Sequence, residues 1–272
     1  MKKILALLLA LVMAMSFIAC SSTDEEKEKE NEETNNETKK IVMGTSADYP
    51  PYEFHIIQDG EDKIVGIDVS LAQQIADDMG AELEIVEMNF DNLIQLMNQG
   101  NCDMVLAAIE PTEERLANAS CSDPYYTDLP AMILVKKENL DQYQSLDDFA
   151  GKVVGAQSGT TKADIITEQM PDATPNLMTS VVDLVNNLVY DKCDALVLDG
   201  AVAMQYAESN DELAVVEAIS LGEALPYCVW VAKDDPKGIL DQINETVAKV
   251  TSDGSMEKWI EEAEELSAEA IG

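Results

Sequence analysis

Arg115 is the one arginine in a chain of 272 residues, and His55 is the one histidine. All the other cationic side chains are lysines. A guanidinium presents a rigid planar fork that matches a carboxylate with two parallel hydrogen bonds, which an ammonium cannot copy. A chain that uses lysine wherever a plain positive charge will serve therefore singles Arg115 out for one of two roles. Either it holds the carboxylate of a bound molecule, or it forms a structural salt bridge with an internal Asp or Glu. Composition leaves the two level. With a single histidine, a metal site built on several imidazoles is hard to assemble, and no Cys/His spacing suggests metal. His55 falls in a stretch that reads as a surface loop and is given no role. No metal, cofactor or catalytic residue is expected.

Open α/β sheets bind ligands beyond the carboxyl ends of their strands, and three loops at such ends are distinctive. In Gly44–Tyr52 (GTSADYPPY) two consecutive prolines stiffen the backbone, which suits a fixed aromatic platform from Tyr49 and Tyr52. In Ala107–Arg115 (AAIEPTEER) Pro111 can start a helix, with Glu113 and Glu114 in its first turn. Gly155–Thr161 (GAQSGTT) opens a helix, whose free amide N–H groups suit a carboxylate or phosphate. Taken singly, each loop is explained as well by an ordinary turn.

The elements that must carry these loops alternate. Apolar runs predict strands at Lys40–Gly44, Leu83–Val86, Cys102–Ala108, Lys152–Gly155, Asp194–Leu198 and Tyr227–Ala232. Helical periodicity predicts helices over Ser70–Met79, from Asp91 to Gly100, and over Lys162–Gln169, Ser180–Tyr190, Pro236–Val250 and Ser255–Leu266. Strand–helix–strand alternation argues for parallel sheets covered on both faces. The segment from Leu93 to Cys102-Asp103 matches that from Leu184 to Cys193-Asp194 in register, as two lobes of one design would.

The chain carries 46% hydrophobic residues, enough for a sizeable core, and a formal net charge of −36. Nucleic acid is excluded as a partner, because phosphate binding runs on surplus Lys and Arg. The acidity belongs to residues 41–272, where 45 acids face ten lysines and Arg115, and it reads as a solvated surface.

Met1-Lys2-Lys3 followed by the apolar run Ile4–Ala19 reads as a secretory signal, since sixteen helical residues span roughly 24 Å, short of the roughly 30 Å hydrocarbon core. Residues 21–40 lack large apolar side chains and read as a disordered tether. The remaining cysteines, Cys102, Cys121, Cys193 and Cys228, stand in strand-like surroundings and are expected as buried thiols.

Two resemblances extend this. Phe17-Ile18-Ala19-Cys20 resembles a bacterial lipobox, which implies lipidation of Cys20 and anchoring to the membrane. GTSADYPPYEF, Gly66-Ile-Asp-Val, Asn89-Phe-Asp-Asn-Leu93, PTEER with SDPYY, GKVVGAQSGTT and CDALVLD together resemble the polar-amino-acid-binding proteins of ABC importers. The likeness covers nearly all of residues 41–272. It implies an α/β, two-lobe type II periplasmic-binding-protein fold, each lobe a central mostly parallel sheet flanked by helices, joined by a two-strand hinge. Lobe 1 would be residues 41–127 plus 222–272, including the last two helices, and lobe 2 residues 128–221.

The function implied is an extracytoplasmic, lipid-anchored, monomeric receptor that delivers a free amino acid to an ABC permease. Arg115 would fork onto the ligand α-carboxylate, with the N–H groups of Ala108 and Thr161, the Thr160 region and the neighbouring Ala107 completing the anion site. Asp199 would accept the α-ammonium. Tyr49 and Phe90 would sandwich the ligand side chain, Tyr52 of the same aromatic platform would also contact the ligand, and Gln157 and Ser46 would line the pocket further out. Two positions depart from the family pattern. Ser46 stands where binders of basic side chains often have Asp. Glu110 replaces a usual hydroxyl, placing two acids near one arginine and favouring a polar or cationic amino acid, or a protonated Glu110. The alternatives are a dehydratase-like enzyme acting on a small carboxylic acid, with Glu110 as its poised group, and a surface lipoprotein with no transport role.

Overall fold

A computed structural model of the protein describes residues 39–271. The signal segment, Cys20 and most of the expected tether lie outside the described residues. In chain order the strands are β1 Lys40–Thr45, β2 Asp48–Tyr49, β3 Glu53–Gln58, β4 Glu61–Val65, β5 Glu82–Glu87, β6 Met104–Val105, β7 Ala119–Thr127, β8 Met132–Lys136, β9 Val153–Gln157, β10 Thr174–Met178, β11 Ala195–Leu198, β12 Leu213–Val215 and β13 Pro226–Ala232. The helices are α1 Ile67–Asp78, α2 Leu93–Asn98, α3 Glu113–Asn118, α4 Thr161–Gln169, α5 Val181–Val189, α6 Gly200–Ser209, α7 Leu240–Val250 and α8 Ser255–Ile271.

Two five-stranded sheets carry the fold, in the orders β5-β1-β6-β13-β7 and β10-β9-β11-β8-β12. In the first, β5, β1 and β6 run parallel while β13 is antiparallel to both of its neighbours. In the second, β10, β9 and β11 run parallel and β8 is the reversed strand. Four of five strands thus share a direction in each sheet, and the two lobes repeat one plan. The chain passes from the first sheet to the second after β7 and returns in β13, where Thr127 pairs with Pro226. This pair is the two-strand hinge of a type II periplasmic-binding fold.

The repeat read from the sequence has a physical counterpart. Asp103 takes the N–H of Val42 in β1 at 2.6 Å, and Asp194 takes the N–H of Val153 in β9 at 2.8 Å. Each aspartate follows a buried cysteine, and each cysteine sits against a glycine of the neighbouring parallel strand. A Cβ at Gly44 would lie 2.8 Å from Cys102 Sγ, and one at Gly155 3.3 Å from Cys193 Sγ. Cys102, Cys193 and Cys228 are buried and Cys121 is half-buried, all as free thiols.

The helices bury one apolar stripe each: Leu71 and Ile75 of α1, joined by Ile67 because the helix starts three residues before the expected Ser70, while Met79 is its half-buried C-cap, and Val181, Leu184 and Leu188 of α5. The last two helices divide their contacts. α7 packs on α1 and β7, and Lys249 pairs with Asp78 at the end of α1 at 2.9 Å. α8 leans on α1 and β3 and also on α6, which belongs to the second sheet's side of the molecule. Among the described residues no helix is long and apolar enough to cross a membrane.

The Gly44–Tyr52 loop and the stretch around His55, expected as surface loop, contribute to a three-stranded sheet, β2-β3-β4. His55 therefore lies on a strand, 2.9 Å from Asp62 and 3.3 Å from Glu87. The predicted strand Cys102–Ala108 pairs only over Met104–Val105. The chain leaves the sheet to turn at Ala108, which has φ 48°.

Candidate functional site: four charges between the lobes

The turn after β6 is fixed by three contacts that do not involve its own side chains. The Ala108 N–H donates to Asp68 Oδ2 (2.8 Å), and the Ile109 carbonyl accepts from the Trp230 indole and the Cys228 N–H, each at 3.2 Å. Glu110 follows and is buried. Thr112 then caps α3, its side chain accepting the Arg115 N–H. One turn into that helix, Arg115 folds back over Glu110. Its Nη1 donates to Glu110 Oε2 (2.8 Å) and to the Glu110 carbonyl (2.9 Å). Its Nη2 donates across the cleft to the Gly159 carbonyl (3.0 Å), and the Phe90 ring lies 5.6 Å from the guanidinium carbon.

The second lobe answers with two groups. Asp199 ends β11 at the start of α6, and it is gripped from the first lobe by Tyr49. The phenol donates to Asp199 Oδ2 (2.6 Å) and accepts the Asp199 N–H (3.1 Å). The other group is Lys162, which sequence reasoning did not single out. It is only 4% exposed, and its Nζ lies 2.6 Å from Glu110 Oε1 and 2.7–2.8 Å from both oxygens of Asp199. Thr161 adds its hydroxyl to Glu110 Oε1 at 2.8 Å. A signal was available in the sequence: Lys162 is the second residue of α4, and a cation is unfavourable at the positive end of a helix dipole. A lysine placed there needs anions to hold it.

Burial works against charge on Glu110, but Lys162 and then Arg115 outweigh it and hold the carboxyl low, at about 2. Burial likewise opposes the Lys162 charge, while Asp199 and Glu110 raise the lysine above its ordinary value. Burial raises Asp199 despite the nearby lysine. The site therefore holds two acids and two bases. This corrects the expectation of two acids facing one arginine, and with it the inference from charge count to a cationic ligand. Glu110 is ionised rather than protonated.

Other expected residues fall into place or out of it. Ser46 lines a cleft of about 470 Å³ with Asp48, Glu87, Asn89, Thr179 and Tyr206. Gln157 reaches Asp48 at 3.4 Å and the Thr179 carbonyl at 3.0 Å. Asp48 also takes the N–H of Val181, at the start of α5 in the other lobe, at 2.7 Å. Arg115 itself lines a second cleft of about 640 Å³, with Phe90, Asp91, Gln95, Gly159 and Thr161. Thr160 spends its hydroxyl on capping α4 and on the Gln157 carbonyl. The Ala108 N–H, expected in the anion site, is instead held by Asp68. Ala107 and Tyr52 lie in the core rather than in a pocket wall. Tyr52 stacks behind Tyr49, with ring centroids 6.2 Å apart, and props it toward Asp199.

Below the site lies a layer of buried acids. Burial lifts Asp48, Asp68 and Asp128 to about 6, and lifts Glu53, beside Asp68, well above the ordinary carboxyl range. The sign of the linkage is fixed. These groups bind protons more tightly folded than unfolded, where an aspartate titrates near about 3.9. Their contribution is full below that value and is lost as pH rises through about 6. The unfolding midpoint should therefore be several degrees higher at pH 5 than at pH 7.5, measured by calorimetry in one buffer system. An equal or lower midpoint at pH 5 would contradict these assignments.

The family model for bacterial extracellular solute-binding proteins, family 3, matches residues 41–262. The chain belongs to that family. Over 261 residues, 95% of this chain and 96% of the relative, the family 3 chain is 34% identical to the arginine-binding extracellular protein ArtP of Bacillus subtilis. It is 31% identical to a probable histidine-binding protein of Campylobacter jejuni, covering 97% and 99% of the two. Among solved structures it is similar to the amino acid ABC transporter substrate-binding protein AbpA of Streptococcus pneumoniae bound to L-arginine. The TM-score is 0.80, with 31% identity over 84% of this chain and 96% of the other.

Proposed function

We propose that this family 3 protein is an extracytoplasmic receptor that captures a free polar or cationic L-amino acid between its lobes and delivers it to the permease of an ABC importer. The observation that carries the reading is the placement of Arg115 and Asp199 on opposite lobes, at the two ends of the Glu110–Lys162 bridge. One is a fork for a carboxylate and the other an acceptor for an ammonium, both in a water-poor cleft where charged hydrogen bonds are strong. A zwitterion that satisfies both draws the lobes together, and the closed form is the one that docks on a permease. With the charge count balanced, support for a cationic or polar side chain comes from elsewhere. Asp48 and Glu87 line the adjoining cleft, and the relatives named above are described as arginine- and histidine-binding.

The lobes are proposed as residues 41–127 plus 222–272 and residues 128–221, with Cys20 lipidated and the receptor monomeric. Binding rather than catalysis is the proposed role. Calorimetric titration of the domain with the twenty amino acids tests it. The expected result is binding of basic or polar members, and tight binding confined to aspartate and glutamate would overturn it.

A further inference from the structure

The four charges form an arrangement that a family 3 site for a free amino acid does not require. Arg115 presents its fork, and the group lying on it is the carboxylate of Glu110. Asp199 presents both oxygens, and the group lying on them is the ammonium of Lys162. The carboxylate and the ammonium touch each other at 2.6 Å, as the two ends of a zwitterion do, and both are almost wholly buried.

We propose that Glu110 and Lys162 are a built-in surrogate for the zwitterionic end of an amino acid, and that Lys162 is the intramolecular competitor that sets this receptor's affinity and selectivity. The inference rests on the amino-acid reading of the site. An incoming amino acid places its carboxylate on Arg115 and its ammonium on Asp199, so Glu110 and Lys162 leave those partners as a pair that remains mutually neutralised. A ligand carrying only one of the two charges exchanges only one contact. The other partner keeps its half of the surrogate, but the ligand's single charge enters a site whose four charges already balance and is itself uncompensated, a costly outcome in such a site. Lys162 thereby makes the receptor select for the full zwitterion and bind it more weakly than the same cleft would without a competitor. This is also a consequence for the order of contacts. The surrogate pair spans the lobes, Glu110 from the first and Lys162 from the second, so displacing it breaks one bridge as the ligand builds another.

The test is calorimetric titration of L-arginine, L-histidine and agmatine, which lacks the carboxylate, into the wild type, Lys162→Ala, and the charge-balanced double variant Glu110→Ser/Lys162→Ala. The single variant leaves two buried acids and is open to misfolding. The double variant removes one charge of each sign and keeps the comparison decisive. Binding of at least one of the two amino acids should tighten by about tenfold or more in the double variant, the scale of one charge-assisted hydrogen bond. Agmatine should remain weak in the wild type. If the wild type binds and the double variant binds equally or more weakly, Lys162 is not a competitor and the inference falls while the receptor reading stands. If none of the three proteins binds arginine or histidine, and the twenty-amino-acid panel also finds no ligand, the receptor reading falls and takes the inference with it.

Discussion

Arg115→Lys should weaken amino-acid binding by about 100-fold, roughly 2.7 kcal/mol, while moving the thermal midpoint by only a few degrees. The two effects separate because lysine keeps the charge and loses the geometry. An ammonium in place of the guanidinium can still neutralise Glu110, whose carboxylate also has Lys162 and Thr161 as partners. The fold is therefore not left with an orphaned buried anion, the condition that makes charge deletions severe. What lysine cannot do is meet the Glu110 carboxylate, the Glu110 carbonyl and the Gly159 carbonyl in one plane while lying against Phe90. Those directions are the ones a bound α-carboxylate would use. Titration calorimetry and thermal unfolding on the same preparations check both halves. A midpoint drop of ten degrees with unchanged affinity would make Arg115 a structural residue only.

Gly66→Ala should destabilise the protein by more than about 4 kcal/mol, lowering the midpoint by on the order of ten degrees. Gly66 sits at φ 130°, directly before α1, and an added Cβ would lie 2.1 Å from the Tyr52 carbonyl oxygen and 2.8 Å from that of Pro51. Both neighbours are backbone and cannot rotate away. They are also the acceptors for the first N–H groups of α1, Ile67 onto Pro51 and Asp68 onto Tyr52. Relief of the clash must therefore pull the helix from the β2–β4 sheet. Asp68 moves with the helix, and with it the clamp on the Ala108 turn that aims Glu110. Gly60→Ala is the matched control. Its φ of 82° is also left-handed, but nothing lies within 4 Å of the new atom. Only the conformational cost of about 1–2 kcal/mol is expected there. Equal losses in the two variants, measured by denaturant titration, would show that φ rather than collision governs.

Much of this site could be read from the residues themselves, and the misses have identifiable causes. Arg115 stood out because it is unique, and Asp199 because it ends an apolar strand that resembles a family motif. Lys162 was hidden by the same compositional argument, since lysine is this chain's default cation and a sixteenth copy carries no signal. Only its position at a helix N-terminus marks it, and that mark has meaning once the anions facing it are known. The backbone N–H of Ala108 went astray for a related reason. Which way an amide points depends on a φ of 48° and on Asp68, forty residues away. Among the elements, helices with one buried stripe were found. Helix α6 was missed because it follows Asp199 with scattered burial between β12 and α8. Strand β7 was missed because Asp123 and Pro124 interrupt its pattern, near the irregular pairing of Pro124 with Cys228.

The order of strands in the two sheets has a consequence for the timing of synthesis. All five strands of the second sheet have been made once Val215 is in place. The first sheet interposes β13 between β6 and β7. Strand β7 therefore has no neighbour to join until residues 226–232 emerge, more than a hundred residues after β1 to β6 are complete. As the chain emerges from its N-terminal end, the second sheet, whose strands all lie between Met132 and Val215, can close before the first. The first sheet waits for its keystone, and the Glu110–Lys162 bridge between the two sides has its full support only when that strand is seated.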